Sequence, residues 1–402
     1  MGPMGLIRLM SLIGIISLVL ASCDPRPPLH LYDQETASLD LPVVDLDLRV
    51  YWDYEMAFGI NYDWEAEWYY GWDTEDREKW GELGYVEPTV FNLRRYYTGS
   101  ETNVPHKSVR SSSVNGHSFK GRYEWGFWDI LCWNQITTLD GIQSLIFDEE
   151  TTLDSVTART RMTMYPSRYE APKYTRSFNA PEPLFAAYEQ SIEINKNLDG
   201  FVFDPERNLW VKTLDMLLRP ITYIYLTQII LHHNNGRVKE IDPSANLSGL
   251  ARTTTLNSGR GGDDAVTVFY KMRMKKDIPL VPYKDLVTEG YVPPAGVEHV
   301  DIIGGRLMTF GICGTAANNI TSQAELRDPN RHYMDVTMRF SNEMDSVLVF
   351  DVTDQVRRRY KGGVITIELD MDTVPMPKRN GGSGFNAVVK DIEDGGTWEF
   401  EM

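Results

Sequence analysis

The chain is predicted to be all-β, built as two tandem β-sandwich domains with a few short helices, on three observations. Apolar and polar residues alternate with a period of two in stretches such as 46–52 and 333–340, the spacing of half-buried strands. Aromatics make up 11% of the chain, with 21 Tyr and 10 Trp, and 31 Gly with 21 Pro punctuate it; this favours short strands with many turns over long helices. No segment repeats at a fixed period, which disfavours solenoids and propellers, and 402 residues suit two sandwiches in tandem. The 42% hydrophobic content excludes a disordered tail. Fifty-seven Asp and Glu against 40 Lys and Arg, a net charge of -17, exclude nucleic acid as a partner, because such a surface repels phosphate.

The first residues read as an address. Arg8 is the only charge before residue 24, and residues 9–20 are apolar apart from Ser11, Gly14 and Ser17. That run is too short to span a bilayer comfortably. It ends in Leu20-Ala21-Ser22-Cys23, which resembles the lipobox of bacterial lipoproteins, where a signal peptidase cuts before the cysteine and its thiol carries a diacylglycerol. Residues 1–22 are therefore expected to be a signal peptide, with Cys23 the lipidation site. Pro25, Pro27 and Pro28 open a polar stretch, 23–39, expected to be an extended tether that holds the folded part just off a membrane surface.

An N-terminal sandwich is expected over 40–215. It starts with the alternating strand 46–52. A short helix is expected near 73–80, where acids occupy the first turn and Arg77 and Lys79 the last, matching the helix dipole. Strands are expected at 90–97 and within 121–134, the latter with a hairpin partner at 142–147, and further extended pieces at 156–165 and 189–195. Residues 98–121 read as a Ser/Asn/Gly loop, and the segment 181–190 is expected to carry a single helical turn before its strand. A C-terminal sandwich is expected over 216–402. It opens with 219–233, apolar on both faces as at the centre of a sandwich, and passes through a loop at 234–264. Strands follow at 266–274, 306–314, 332–340, 346–352, 364–370, 385–392 and 397–402, with a short helix from Thr353 through Arg359 that Gly362-Gly363 ends. Met334, Val336, Met338 and Phe340 should share one face. Cys132 and Cys313 fall in different expected domains and read as buried free thiols.

Several motifs occur in one order: the lipobox; a strand ending in Tyr51-Trp52-Asp53; GRYEWGFWDILCWNQ from Gly121; PEPLFAAY from Pro181; RPITYIYLTQIIL from Arg219, followed by LSGLA; and DVTDQV with GGVITIEL near the end. Together they are similar to the fimbrillin-like lipoproteins of Bacteroidales and most resemble their domain-of-unknown-function family 5119, over nearly all of the mature chain. The resemblance implies two transthyretin-like β-sandwiches in a cell-surface or outer-membrane lipoprotein related to pilus subunits and pilus anchors, without an active site or cofactor. In polymerising relatives a protease cuts after an Arg near the first strand, opening a groove for a neighbour's strand. Arg49 is the position that could serve, although an outward-facing residue of an intact strand is the stronger reading.

Catalytic patterns are weak. His232 and His233 are adjacent, so in a strand they face opposite sides and cannot chelate one metal without a bulge. Gly-x-Ser-x-Gly, Walker and dinucleotide patterns are missing, and Gly382-Ser383-Gly384 reads as a turn. The acid-rich, ring-rich stretch is more suggestive. Fourteen acids lie between positions 40 and 87, and eight of the ten Trp lie between Trp52 and Trp133. Rings beside carboxylates suit a sugar-binding face, and equally a strand core and its lid. Trp64, Trp68 and Trp72, recurring every four residues, are the candidates for an exposed ligand face. The expected role is surface adhesion or pilus assembly and anchoring by a lipid-anchored outer-membrane protein that binds without catalysis; glycan binding within a nutrient-uptake system is the alternative.

Overall fold

A computed structural model describes residues 41–378 apart from 60, 137–142, 149–152, 154–155, 164–175, 320–325 and 327, together with 386–389. The signal peptide, Cys23, the tether and the strand expected at 397–402 lie outside the described residues.

The first half supplies β1 (Val43–Val50), β2 (Val90–Gly99), β3 (Ser108–Asn115), β4 (Ser118–Arg122), β5 (Gly126–Asn134), β6 (Leu145–Asp148), β7 (Thr157–Thr160), β8 (Ser177–Asn179), β9 (Phe185–Ile194), β10 (Val202–Asp204) and β11 (Leu209–Pro220). Eight of these form one sheet in the order β3-β2-β5-β9-β11-β1-β4, with β10 beside β11. Strands β3 and β4 are joined by residues 116–117 yet stand at opposite ends of that order. A two-residue link between the two edges forces the sheet to curl on itself. The inner face collects Val44, Leu46, Leu48, Phe91, Leu93, Trp128 and Ile130, all buried, at the period of two that the sequence shows.

The second half supplies β12 (Tyr223–His232), β13 (Val238–Ala251), β14 (Thr253–Thr255), β15 (Ala265–Pro279), β16 (His299–Thr309), β17 (Tyr333–Phe340), β18 (Asp345–Asp351), β19 (Gly363–Asp370) and β20 (Asn386–Val389). Its nine-stranded sheet runs β19-β12-β16-β15-β13-β17-β18-β20, with β8 beside β15. The described chain is thus all-β, two curled sheets making sandwich-like domains. Met334, Val336, Met338 and Phe340 share the second core, as their alternation predicts. The helix opened by Thr353 spans Thr353–Arg358.

Central strand β12 is buried on both faces for different reasons. Tyr225, Ile229 and Leu231 enter the sandwich core, whereas Ile224, Leu226 and Ile230 face a second cluster made by residues 54–85. The first half therefore covers the outer face of the second sheet. Two further links cross the halves: β8 adds to β15 in parallel, and β7 pairs with β14 in a small sheet, β14-β7-β6.

Several expectations are corrected. The expected boundary at 215/216 falls inside β11, whose last residues, Arg219 and Pro220, still pair with Ala186 and Phe185 in the first sheet. The supposed loop 98–121 contains β3 and most of β4. Strand β3, VRSSSVN after Ser108, is a largely exposed edge strand, so its partner β2 specifies it and its own propensity does not. The supposed loop 234–264 contains β13 and β14; Pro243 sits where the β13–β17 register shifts, a place where a missing N–H is tolerated. Residues 185–190 are strand, not a helical turn. Strand β6 pairs with β7, while β5 lies between β2 and β9, so the expected β5–β6 hairpin does not form.

Candidate functional site

The tryptophans expected at the surface are buried. Residues 53–59 and 61–85 fold as a strap carrying helices α1 (Tyr54–Phe58), α2 (Trp64–Glu67) and α3 (Thr74–Trp80). Trp68 is 0% exposed, Trp72 4% and Trp64 9%, packed with Ile224, Leu226, Ile230 and Ile302. The four-residue recurrence does put the rings on one side, but that side lies on the second sheet. An exposed face of Trp64, Trp68 and Trp72 is thereby corrected: desolvating three indoles against an aliphatic strand face outweighs leaving them in water. Tyr70 lies over Gly304 of β16, where any Cβ would be 2.3 Å from the ring.

The acids beside them are neutralised rather than displayed. Asp73 caps α3 through a capping box with Asp76. Asp76, 0% exposed, accepts from Tyr70 Oη at 2.7 Å and Arg273 Nε at 2.9 Å, and pairs with Lys275 Nζ at 2.7 Å. Arg273 also pairs with Asp73 and Glu75. Lys275 donates to the carbonyls of Tyr70 and Gly71 and lies 3.9 Å from the Tyr70 ring centroid. Burial pushes the Asp73 carboxyl up, but the Asp76 N–H and the Lys275 and Arg273 donors outweigh it and hold Asp73 well below the usual carboxylate range.

Arg49 stands in β1 with its side chain 62% exposed, ion-paired to Asp47 at 2.7 Å and Asp215 at 3.5 Å. Strand β1 pairs with β11 over Val43–Val50 and with β4 over Val43–Asp47, and Arg49 faces outward near its end. His232 and His233 turn to different acids, Glu298 at 2.9 Å and Asp370 at 3.0 Å. His233, Asp370 and Asp372 bring one donor atom each within 4.8 Å of one another, an arrangement not foreseen from sequence; the His233–Asp370 hydrogen bond and the turn that Asp370 caps account for it. Cys132 and Cys313 are buried free thiols in separate cores, and burial pushes each up to about 12.

One open cleft, of about 850 Å³, was not anticipated. Two irregularities in the first sheet build it. In β2 the register with β5 shifts between Tyr97 and Gly99, leaving Thr98 extra; in β9, Gln190 and Ser191 together oppose the single residue Asp129 of β5. Such bulges bend strands and re-aim side chains. Ser191 takes φ +56°, the left-handed region that a non-glycine residue adopts at a cost. Asp129 holds the arrangement: Ser191 N–H donates to its Oδ1 at 2.7 Å, and His106 Nε2 lies 2.9 Å from its Oδ2. A carboxylate only accepts, so His106 carries its proton on Nε2. The ring of Tyr96, centroid 4.8 Å away, backs His106. The turn between β2 and β3 closes one side, and Asn257 reaches the cleft from the second half. The sequence signal was slight: Ser191 is one polar residue in a strand, and a bulge leaves no periodicity mark beyond a skipped alternation.

Among the described residues no helix is long and apolar enough to cross a membrane. No family model matches the chain. No curated protein matches it. Solved structures similar to it include a candidate adhesin from Bacteroides ovatus, at 12% identity and TM-score 0.46, covering 83% of this chain and 94% of that one. Another is a candidate polysaccharide-binding protein of family DUF1812 from Bacteroides thetaiotaomicron, at 8% identity and TM-score 0.38, covering 84% and 94%. A third is the fimbrial anchor protein Mfa2 from Porphyromonas gingivalis, at 12% identity and TM-score 0.38, covering 81% and 90%.

Proposed function

We propose that this chain is a lipid-anchored cell-envelope protein of fimbrillin-like type, nearest in its motifs to domain-of-unknown-function family 5119, acting in surface adhesion or pilus anchoring by binding, without catalysis. The observation that carries this reading is Leu20-Ala21-Ser22-Cys23 at the end of the apolar run 9–20, followed directly by a proline-rich tether. A diacylglycerol on Cys23 would hold two strand-built modules at the outer membrane, where their partners are other surface subunits or ligands of the surroundings. An uncut anchor or accessory subunit is favoured over a shaft subunit, because β1 is paired with β11 over its full length and with β4 over Val43–Asp47, and stripping it out would unmake both ladders. The second reading, glycan binding, is favoured by the polar cleft at Asp129.

Radiolabelled palmitate given to producing cells should enter the chain and fail to enter a Cys23→Ala variant. Mass spectrometry should find an acylated N-terminus at Cys23. A chain that takes up no palmitate overturns the anchor, and a dominant N-terminus at Val50 overturns the preference for an uncut subunit by showing cleavage after Arg49.

A further inference from the structure

We infer that the cleft beside Asp129 is a binding site for a neutral, hydroxyl-rich ligand, a glycan without carboxylate or sulfate groups. This deepens the binding role proposed above by naming its ligand class. The size is right: about 850 Å³ lies within the range of ligand pockets. The chemistry of the lining narrows the choice. In a chain of net charge -17, the acid of this cleft is spent internally, both oxygens of Asp129 being taken by Ser191 N–H and His106. Lys107 is the one exposed cation on the lining, and it lies over Gly99, whose missing Cβ leaves room for it. What the cleft presents is mainly uncharged: the amides of Asn103, Gln190 and Asn257 and the hydroxyls of Thr102 and Ser108. Side-chain amides and hydroxyls both donate and accept, as sugar hydroxyls do. Phe127 and Tyr188, both half-buried on the lining, supply ring faces against which the C–H face of a pyranose can pack.

The bulges give a reason for the site beyond composition. A regular β9 would send Gln190 and Ser191 to opposite faces; the extra residue and the left-handed Ser191 break that alternation beside Asp129. Backbone held in a costly conformation by a buried carboxylate, at the rim of a cleft, is a pattern of binding sites. A peptide is the competing ligand class. Strands β2 and β5 are paired on both sides, but β9 pairs with β11 only at Phe185 and Ala186, so addition of a peptide strand along β9 is the competing outcome that the test must separate.

The test uses the full acylated chain in detergent, titrated calorimetrically with cello-, manno-, xylo- and chito-oligosaccharides, with a sulfated oligosaccharide and a random peptide pool alongside. Saturable binding of at least one neutral sugar is expected, weakened at least tenfold by Gln190→Ala and by Asn103→Ala. Both are exposed positions; Asn103 takes φ +58°, which asparagine tolerates better than alanine, so circular dichroism and a thermal melt should show each variant folded before its binding is read. Trp210→Ala, an exposed ring on β11 outside the cleft, should bind normally. Binding of none of the neutral sugars, binding only of the sulfated sugar or of peptide, or sugar binding indifferent to both variants would each overturn the assignment. The outcome is separable from the anchor: a Cys23→Ala protein that takes up no palmitate should still bind the same sugar.

Discussion

Removing the carboxylate of Asp76 should loosen the grip of the strap on the second sheet. Asp76 is fully buried and accepts from Tyr70 Oη, the Asp73 N–H, Arg273 Nε and Lys275 Nζ, at 2.7, 3.2, 2.9 and 2.7 Å. Lys275 and Arg273 are themselves only 8% and 16% exposed. Asp76→Ala leaves Arg273 paired with Asp73 and Glu75 and Lys275 with Asp73 at 3.1 Å, but removes the one fully buried acceptor that both cations share. Breaking a buried pair by removing one partner costs about 3–5 kcal/mol, because the other charge stays desolvated. Were the network in effect a surface one, the loss would be about 0.2–1 kcal/mol. The two estimates are far enough apart to measure by guanidinium unfolding. Amide hydrogen exchange should report where the loss falls, with protection dropping first over 64–80. Replacing both charges, Asp76→Leu with Lys275→Met, should cost less than the sum of the single changes, since the paired charges leave together and only the Tyr70, Asp73 N–H and Arg273 donors lose an acceptor. A cost below about 1 kcal/mol for Asp76→Ala, or strict additivity in the double variant, would refute the argument that these acids clamp the strap.

Three further outcomes follow from the same geometry. Gly304→Val should unseat Tyr70 and Trp68→Ala should cost about 3–5 kcal/mol in unfolding experiments, while neither should alter ligand binding at the distant Asp129 cleft. Asp328 is held below the ordinary carboxylate range: desolvation pushes it up, but the His332 ring at 2.6 Å, the Asn330 N–H and the Arg357 charge outweigh that. A depressed carboxyl stabilises the folded state fully above its unfolded value, about 3.9, and loses that contribution as pH falls through the lower folded value. Asp328→Asn should therefore lower stability at pH 6 and flatten its decline between pH 5 and pH 2, measured by thermal melts. Cys132 and Cys313, each pushed up to about 12, carry almost no thiolate at pH 7.5, so alkylation should be slow in the native protein and should release two thiols on denaturation.

Much of the fold was legible where polar and apolar residues alternate along a strand, although in β17 the polar members Asp335 and Thr337 are themselves buried. Strands β1 and β17 announce themselves by alternation, and α3 by a capping aspartate with acids early and cations late. Strands whose identity comes from their neighbours were not legible. In the Ser-rich β3 only Val109 and Val114 prefer extension, and Pro243 in β13 argues locally against a strand until the bulge that accommodates it is seen. Sheet curling was equally hidden, because it follows from which edges β3 and β4 join, and not from any residue.

The misplaced tryptophan face has the most instructive cause. Residues 219–233 are apolar on both sides, which sequence reasoning took as a place at the centre of a sandwich without saying what covers the second face. A strand in a two-layer sandwich has one layer to face; a second apolar face demands a third. The strap of residues 53–85 is that third layer, and its acids had to come with cations, because α3 could only dock on β15 and β16 if its charges were met. Arg273 and Lys275, alternating with Met272 and Met274 on β15, are the complementary signal lying some two hundred residues away. A local reading of 53–87 as rings beside carboxylates suggests a site; the same reading extended to the cations of β15 turns it into an interface within the chain. Ligand recognition is therefore better sought where polar groups stay uncharged and the backbone bends, at Asp129 and Ser191, than where charge density is highest.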